Sequence, residues 1–300
     1  MALDVGGTTI KGAVVDHDGT VLARLRRPTP SHDHGPDEVL AAMLATIDEL
    51  TGTAPQSDGV RAVGLAVTGV VDERRGMAVH SENVGWRNVP VRSLVEQATR
   101  LPVGFGHDVR AGTLAEWRLG AGRGLEDLVF VPIGTGVSAG IVVQGRLLTG
   151  GGYAGEIGHV DVGHGEPCPC GGRGCVEALA SAAAIARRYA AVSGRPVAGA
   201  REVAERMVAG DPIARRIWNE ATEALALALA WTSAVLAPQA IVLGGGLARS
   251  GSLLFEPLGQ ALGRHLGVVR RPQLVPASLQ DDAGFLGAAL LAWDALGQTP

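Results

Sequence analysis

The chain has 300 residues, of which 46% are hydrophobic and 19% charged, and its formal net charge is −4. This apolar content excludes an intrinsically disordered chain, and the length suffices for one large domain or two medium ones. The weakly negative charge excludes a basic field that would hold a nucleic-acid backbone. The longest apolar run, 224–237, is shorter than the roughly 20 residues of a membrane span, and no signal segment opens the chain. We therefore expect a cytoplasmic protein.

The first half predicts short strands joined by glycine-rich turns, with a helix after the third, fourth and fifth strands. The expected strands are Ala2–Val5, Gly12–Val15, Val21–Arg26, Val63–Val67 and Val103–Gly106. The expected helices are 37–51, 94–100 and 111–119. The turn 17–20 contains Asp18-Gly19, which is typical of a hairpin. Ser93 is expected to cap the second helix.

The second half begins with another glycine-rich hairpin and then becomes more helical. The expected strands are Leu128–Ile133, Gly140–Val143 and Ala240–Leu243, and the expected helices are 178–192, 199–209, one from Pro212 to before Pro238, and 283–296. Gly6 and Gly134 follow one strand, and Gly12 and Gly140 begin the next, with the same spacing in both hairpins. This repetition indicates two related halves; two unrelated glycine-rich hairpins are the alternative.

Three glycine-rich segments each follow a hydrophobic strand directly. They are Asp4–Thr9, Ile133–Gly136 and Leu243–Gly246. Glycine lets backbone N–H groups approach phosphate oxygens closely, and threonine adds a hydroxyl donor. None of the three matches the Walker or the dinucleotide pattern, and one such segment alone is more often a simple turn. Their threefold occurrence favours nucleotide binding.

All three cysteines, Cys168, Cys170 and Cys175, lie in one turn rich in glycine and proline. The odd number excludes a disulfide framework. With His159 upstream, three thiolates and one imidazole suit a closed, four-coordinate structural zinc site. His164 also lies upstream and is an alternative fourth ligand, and three buried free thiols are the alternative to a metal.

Polar side chains near these turns are candidates for ligand binding. They are Asn83, His107, Asp108, Glu156 and Glu177. Asp108 follows a strand-like segment and precedes a helix, and Glu156 lies three residues before His159. Glu177 lies two residues after Cys175, so a turn that holds zinc would fix its position. Each carboxylate alone is more often a solvated surface group, but carboxylates held on rigid turns suit ligands rich in hydroxyl groups.

Together these motifs resemble the ROK sugar kinases over nearly the whole chain. Asp4–Gly12 resembles the family's first phosphate motif, Gly134–Val137 its second, Gly244–Gly246 its adenosine motif, and Gly155–Glu177 its signature. The resemblance implies an α/β, two-lobed actin-like ATPase (ribonuclease H-like) fold with duplicated βββαβα-type halves and a cleft between them. The implied small lobe is 1–109 with a C-terminal helix at about 284–300, and the implied large lobe, 110–283, carries the zinc motif.

The resemblance also implies the reaction, which is transfer of the γ-phosphate of ATP to the 6-hydroxyl of a hexose, with glucose as the default. Asp108 would be the general base, while Asn83, Glu156, His159 and Glu177 would contact the sugar. His159 would also ligate structural Zn²⁺ with the three cysteines. The implied nucleotide contacts are Asp4, Gly6, Gly7, Thr8, Thr9, Lys11, Gly134, Thr135, Gly136, Gly244, Gly245 and Gly246.

Some of these implications carry alternatives. Asp4 would help to hold Mg²⁺ through water, or would instead cap its turn. ATP and polyphosphate are both possible donors. The resemblance implies a homodimer or homotetramer, with no nucleic-acid or membrane partner.

The chain departs from the family pattern at three positions. His107 stands where the family has an asparagine that contacts sugar hydroxyls around positions 3 and 4, Thr9 replaces a lysine or asparagine, and His159 is one residue nearer the first cysteine. Because of His107, an amino or N-acyl hexose (kanosamine, N-acetylmannosamine or N-acetylglucosamine) is the alternative substrate. A sugar-responsive repressor is disfavoured because the first phosphate strand begins at residue 2, and a non-catalytic sugar-binding protein is a further alternative.

Overall fold

Two five-stranded sheets form the framework of the protein. A computed structural model describes residues 1–16, 18–31, 35–53 and 59–298, so His17 of the predicted turn lies outside the described residues. Contacts within the chain divide it into two compact units. Unit 1 comprises Met1–Arg118, Thr149–Tyr153 and Asp281–Pro300, and unit 2 comprises Leu119–Leu148 and Ala154–Gln280.

The described elements follow one another in this order. The strands are β1 (Ala2–Val5), β2 (Thr9–Val15), β3 (Val21–Pro28), β4 (Val63–Val67), β5 (Val70–Asp72), β6 (Met77–Ser81), β7 (Trp86–Val89), β8 (Val103–His107), β9 (Leu128–Pro132), β10 (Gly140–Val143), β11 (Arg146–Leu147), β12 (Ala240–Gly244) and β13 (Gln273–Pro276). The helices are α1 (Pro36–Thr53), α2 (Val91–Thr99), α3 (Asp108–Arg118), α4 (Val176–Ala180), α5 (Ala182–Ser193), α6 (Ala200–Val208), α7 (Pro212–Leu236), α8 (Gly245–Ala248), α9 (Ser252–Leu266) and α10 (Ala283–Ala295).

The sheet of unit 1 has the order β3-β2-β1-β4-β8, in which β4 and β8 run parallel to β1. Its register places Val5 beside Val67 and Val67 beside His107, so the carboxyl ends of three strands meet at one edge. Helix α10 lies directly on this sheet, because a Cβ at Gly64 would overlap the carbonyl oxygen of Ala288. The small apolar residues of the last helix therefore serve close packing against β4.

The sheet of unit 2 has the order β11-β10-β9-β12-β13. As in unit 1, two antiparallel pairings are followed by two parallel ones, which supports the interpretation of two related halves. Helix α7 spans 25 residues and forms much of the core of this unit. It begins as predicted at Pro212, where the side chain of Asp211 accepts hydrogen bonds from two backbone N–H groups of the first turn.

Some local predictions need correction. Ser93 does not cap α2; the N-cap position is Pro90, and the Ser93 hydroxyl donates to the Pro90 carbonyl instead. The helix predicted over 178–192 is two helices, because Ser181 is extended and caps the second of them. The small sheet β5-β6-β7 was not predicted. Within the described residues, no helix has the length and apolar character needed to cross a membrane.

The functional lobes predicted from the sequence, with a boundary at residue 109, stay a prediction. In the structure, α3 belongs to unit 1. The short segment Thr149–Tyr153 also belongs to unit 1, although the residues before and after it in the chain belong to unit 2.

Candidate active site

Asp108 begins α3 immediately after β8, at the edge of the sheet where β1 and β4 also end. Its Oδ1 accepts a hydrogen bond of 2.7 Å from the backbone N–H of Val109. The Thr68 side chain, which follows β4, also hydrogen-bonds the carboxyl group. Nε2 of His107 lies 3.2 Å from Oδ1. The carboxyl group is thus held in one orientation by donors from two neighbouring strand ends.

Burial raises the pKa of Asp108 to about 6, against the opposing effects of the Val109 N–H, the Arg110 charge and the Thr68 hydroxyl. A carboxyl group with a pKa in this range is ionised at neutral pH but remains a useful proton acceptor. Perturbed carboxyl groups of this kind are concentrated at functional sites. Asp108 therefore has the properties of a general base.

Asp4 lies within β1, at the same edge. Burial raises its pKa, the negative charge of Asp108 adds to this effect, and Lys11 opposes it. Nζ of Lys11 is 3.3 Å from Oδ2 of Asp4. A Cβ at Gly284, near the start of α10, would collide with the Asp4 carboxylate. Asp4 therefore belongs to β1 with its carboxylate paired to Lys11, and its oxygens are of the type that Mg²⁺ accepts, directly or through water.

The first glycine-rich turn lies beside Asn83. The turn closes when the Gly6 N–H donates to the carbonyl of Thr9 at 3.1 Å. A Cβ at Gly7 would stand 2.9 Å from Cβ of Asn83. The structure thus brings a predicted nucleotide contact and a predicted sugar contact together within unit 1. Asn83 is exposed in the turn between β6 and β7, so its amide is accessible to a ligand.

An ion pair between a buried arginine and a partly exposed glutamate supports this edge and was missed by the sequence analysis. Nε of Arg110, which is 1% exposed, lies 2.7 Å from Oε1 of Glu73. The same oxygen accepts from the backbone N–H of His107 at 3.2 Å. Arg110 also donates to the carbonyl of Gly152 at 3.4 Å. The sequence did contain a signal for this pair. Arg110 lies near the start of a mostly buried helix, and a buried arginine requires an acidic partner.

Loss of Glu73 should destabilise unit 1 strongly. We expect Glu73→Ala to lower the free energy of unfolding by about 3 kcal/mol, because it removes the ion-pair partner of the buried Arg110. Glu49→Ala, which removes the exposed partner of Arg27, should cost less than about 1 kcal/mol. Urea unfolding followed by circular dichroism measures both. Equal costs for the two variants would contradict this role of Glu73.

In unit 2, Glu177 lies against the second glycine-rich turn. Its Oε2 accepts from the backbone N–H of Val137 at 2.9 Å, and a Cβ at Gly136 would overlap this carboxylate. The third glycine-rich segment is adjacent, because the N–H of Ile133 donates to the carbonyl of Gly244 at 3.0 Å. The two predicted nucleotide segments of unit 2, Gly134–Gly136 and Gly244–Gly246, therefore lie side by side. Glu177 contacts the first of them.

The segment that carries Glu156 and His159 packs on Ser138 and Ala139, which directly precede β10. The Ala139 N–H donates to the carbonyl of Gly155 at 2.7 Å, and the Ser138 hydroxyl donates to the same carbonyl at 3.2 Å. Glu156 is exposed and directly precedes the short helical turn Ile157–His159. The structure thus places Glu156, His159 and Glu177 around one segment of unit 2.

The cysteine turn has a geometry that fits zinc. One ligand atom from each of His159, Cys168, Cys170 and Cys175 lies within 4.8 Å of the other three. The Sγ atoms of Cys170 and Cys175 are 3.7 Å apart, close to the ~3.8 Å expected for two thiolates on a tetrahedral ion with Zn–S bonds of about 2.3 Å. The N–H of Gly172 lowers the pKa of Cys170 to about 7, whereas burial raises that of Cys175 to about 12.

The structure separates the two candidate histidines. His159 is the histidine of the cysteine cluster. The His164 ring instead lies near Arg188 and Glu220, with Nε2 3.5 Å from an Arg188 nitrogen and 3.8 Å from Oε2 of Glu220. This favours His159 as the fourth ligand.

Comparison with known proteins decides the family. The model of the ROK family matches residues 1–295. The chain belongs to the ROK family. It is 34% identical to the glucokinase of Thermotoga maritima over 317 residues, covering 99% of this chain and 98% of that protein. The N-acetylmannosamine kinase of Escherichia fergusonii is 36% identical over 299 residues, with 97% of each covered.

Solved structures share the fold. A ROK family glucokinase from Streptomyces griseus, determined in complex with glucose and AMPPNP, has a TM-score of 0.81, with 31% identity and 98% of each chain covered. This ROK family chain therefore has the actin-like sugar kinase fold, as predicted.

Proposed function

We propose that this ROK protein is an ATP-dependent hexose kinase with Asp108 as general base. The observation that carries the proposal is the held, partly buried carboxyl group at the strand edge, whose pKa burial raises to about 6. Full-length similarity to glucokinases and to an N-acetylmannosamine kinase supports the reaction type. Phosphoryl transfer depends mainly on positioning and charge stabilisation, which such a group and the glycine-rich turns can supply.

In the proposed reaction the 6-hydroxyl of the sugar gives its proton to Asp108 while its oxygen bonds to the γ-phosphorus. The bond between that phosphorus and the bridging oxygen of ADP breaks. Backbone N–H groups of the turns Gly6–Thr9 and Gly134–Gly136 face the phosphates, and Gly244–Gly246 faces the adenosine. Lys11, already paired with Asp4, adds positive charge beside the first turn.

The remaining polar residues are proposed to bind the sugar. Asn83, Glu156, His159 and Glu177 would hydrogen-bond the ring hydroxyls. Asp4 would hold Mg²⁺ through water, and Mg²⁺ supplies neutralisation of the phosphate charge. Zinc held by His159 and the three cysteines would be structural and would fix the positions of Glu177 and His159.

Glucose is the proposed substrate. Glucokinases lie among the similar proteins, and so does an N-acetylmannosamine kinase, so an amino or N-acyl hexose is the second candidate. The test is ADP release with ATP and Mg²⁺ across glucose, mannose, kanosamine, N-acetylmannosamine and N-acetylglucosamine. Highest kcat/KM with glucose supports the proposal, highest kcat/KM with an amino sugar supports the second candidate, and no sugar-dependent release contradicts both.

His107 is expected to affect the choice of sugar. His107→Asn restores the residue that the family pattern has at this position, and its amide differs from imidazole in size and hydrogen bonding. We expect the order of kcat/KM values among the five sugars to change. For at least one pair of sugars, the ratio of the two kcat/KM values should shift by at least about tenfold, on the scale of one well-placed hydrogen bond. An unchanged order would remove His107 as a reason to consider amino sugars.

We also propose that the chain forms a homodimer or homotetramer. Trp231 and Val235 lie one turn apart on α7 and are 49% and 81% exposed, which is an unusual position for two large apolar side chains on a free surface. Trp231→Arg should lower the mass measured by light scattering to that of the monomer. Val208→Arg, at an exposed valine on α6, is the control; a wild-type monomer would contradict the proposal.

A further inference from the structure

The ring of His107 is directed at the general base. Its Nε2 lies 3.2 Å from Oδ1 of Asp108, and the residue is only 8% exposed. The backbone beneath the ring is fixed, because the His107 N–H donates to Oε1 of Glu73. A carboxylate can only accept, so a hydrogen bond at this distance requires the proton on Nε2 of the ring.

We propose that His107 is a positioning residue for Asp108: its Nε2–H donates to Oδ1 and leaves Oδ2 to take the proton of the sugar hydroxyl. The proposal rests on the proposed function, since it gives His107 a role in that same transfer. The Val109 N–H donates to the same oxygen at 2.7 Å. Oδ1 would thus accept from both the residue before Asp108 and the residue after it. During the step the hydroxyl proton moves to Oδ2, and the Nε2 proton stays on His107.

An asparagine at this position would not supply this hydrogen bond. The amide nitrogen of asparagine occupies about the place of Nδ1 of histidine, whereas the amide nitrogen of glutamine reaches about as far as Nε2. The histidine that distinguishes this chain from the family pattern therefore adds a donor aimed at the base. The effect of this donor on kcat should be common to all sugars, whereas any contact of His107 with the sugar itself would change the ratios between sugars.

Other charged groups surround Asp108 on each element packed against it. Asp4 on β1 adds negative charge and is paired with Lys11 of β2. Arg110 on α3 adds positive charge, which Glu73 after β5 compensates. Thr68, after β4, contributes a neutral hydroxyl. On α10, Gly284 packs against the Asp4 carboxylate.

Loss of the His107 donor should therefore change the pH dependence in a defined direction. A hydrogen bond to a carboxylate favours its ionised form. Without that bond the pKa of the base rises, so the acid limb of kcat/KM should move to higher pH. The other groups around Asp108 are unchanged by the substitution and do not cancel this shift.

The experiment compares His107→Asn with His107→Gln. We expect kcat of the Asn variant to fall about tenfold or more for every accepted sugar, and its acid limb to move up by on the order of one pH unit. The Gln variant should recover a large part of kcat and of the shift. His265→Asn is the matched control, since Nε2 of His265 lies 2.7 Å from the carboxylate of Glu223 on the surface of unit 2.

A readout independent of activity is the ring tautomer. Long-range ¹H–¹⁵N NMR of the wild-type protein, assigned by the signal missing in the Gln variant, should show the proton on Nε2 of His107. A neutral ring protonated on Nδ1 alone would overturn the proposal. Because this measurement uses the wild-type protein, it decides the question even if the Asn variant does not fold.

The kinetic outcomes distinguish a failure of the proposed role of His107 from a failure of the proposed kinase function. An Asn variant with unchanged kcat and acid limb, and with changes in KM alone, would show that His107 acts only on the sugar. A wild-type enzyme without sugar-dependent ADP release would overturn the proposed function and the role of His107 together. An active wild-type enzyme with an unaffected variant would overturn only the role of His107.

Discussion

Asp108→Asn should lower kcat by about 10² to 10⁴, the range for loss of a general base, while the dissociation constant for the sugar changes little. The amide keeps the shape of the carboxyl group and can still accept from the Val109 N–H, but it cannot take the hydroxyl proton. Single-turnover kinetics with ATP, together with calorimetric titration of the sugar, measures the two effects separately.

The stability of this variant has a definite expected sign. Burial raises the pKa of Asp108 to about 6, so the folded state disfavours the ionised form and its charge opposes folding above that pH. Asp108→Asn should therefore unfold at the same temperature or higher at pH 8. Asp48→Asn, on the exposed face of α1, is the control and should retain wild-type kcat. Near-normal turnover of the Asp108 variant would reject this residue as the base.

The pH profile of the wild-type enzyme tests the same assignment. Because the base must be ionised to accept a proton, kcat/KM should fall about tenfold per pH unit below about pH 6, where the pKa of Asp108 lies. The same limb should be absent from the residual activity of Asp108→Asn. A limb that persists unchanged in that variant would belong to another group.

Much of the site could be predicted because its parts are local in sequence. Each predicted nucleotide segment is a hydrophobic strand followed at once by glycines, and parallel strands end at a common edge, which brings Asp108 near Thr68. The cysteine turn is likewise a short segment. In these cases the residue types and their spacing already contain the geometry.

The contacts that were missed join residues far apart in the chain. Glu73 and Arg110 are separated by 37 positions, and their pairing depends on the small sheet β5-β6-β7, whose strands are too short and too polar to show periodicity. The choice of His159 over His164 depends on Arg188 and Glu220, which lie on α5 and α7. Such pairings follow from tertiary packing, which local patterns do not encode.

Cys170→Ser should remove zinc from the protein and weaken sugar binding. We expect about one zinc per wild-type chain and less than a tenth of that in the variant, because structural zinc sites bind with apparent free energies of about 10–16 kcal/mol that depend on deprotonated thiolates. Elemental analysis of the purified protein measures this. Cys170 is the informative cysteine because it is exposed, whereas Cys168 and Cys175 are buried and contribute to packing.

The link from zinc to sugar affinity goes through the two ends of the cysteine turn. Glu177 lies two residues after Cys175, and the proposed zinc ligand His159 lies three residues after Glu156. Loss of the metal leaves these carboxylates held only by their own hydrogen bonds, such as that between Glu177 and the Val137 N–H. We expect KM for the sugar to rise at least about tenfold, with a smaller change in KM for ATP.

A matched substitution in the same turn separates loss of a ligand from disturbance of the loop. Arg173 is exposed, lies between the cysteines and is not part of the cluster, so Arg173→Ser should keep both zinc and sugar affinity. If the wild-type protein contained no zinc, or if Cys170→Ser kept a full complement, the cysteine turn would not be a metal site. If zinc were lost with sugar KM unchanged, the metal would serve stability alone, and the positions of Glu156 and Glu177 would depend on the hydrogen bonds that the backbone N–H groups of Val137 and Ala139 donate.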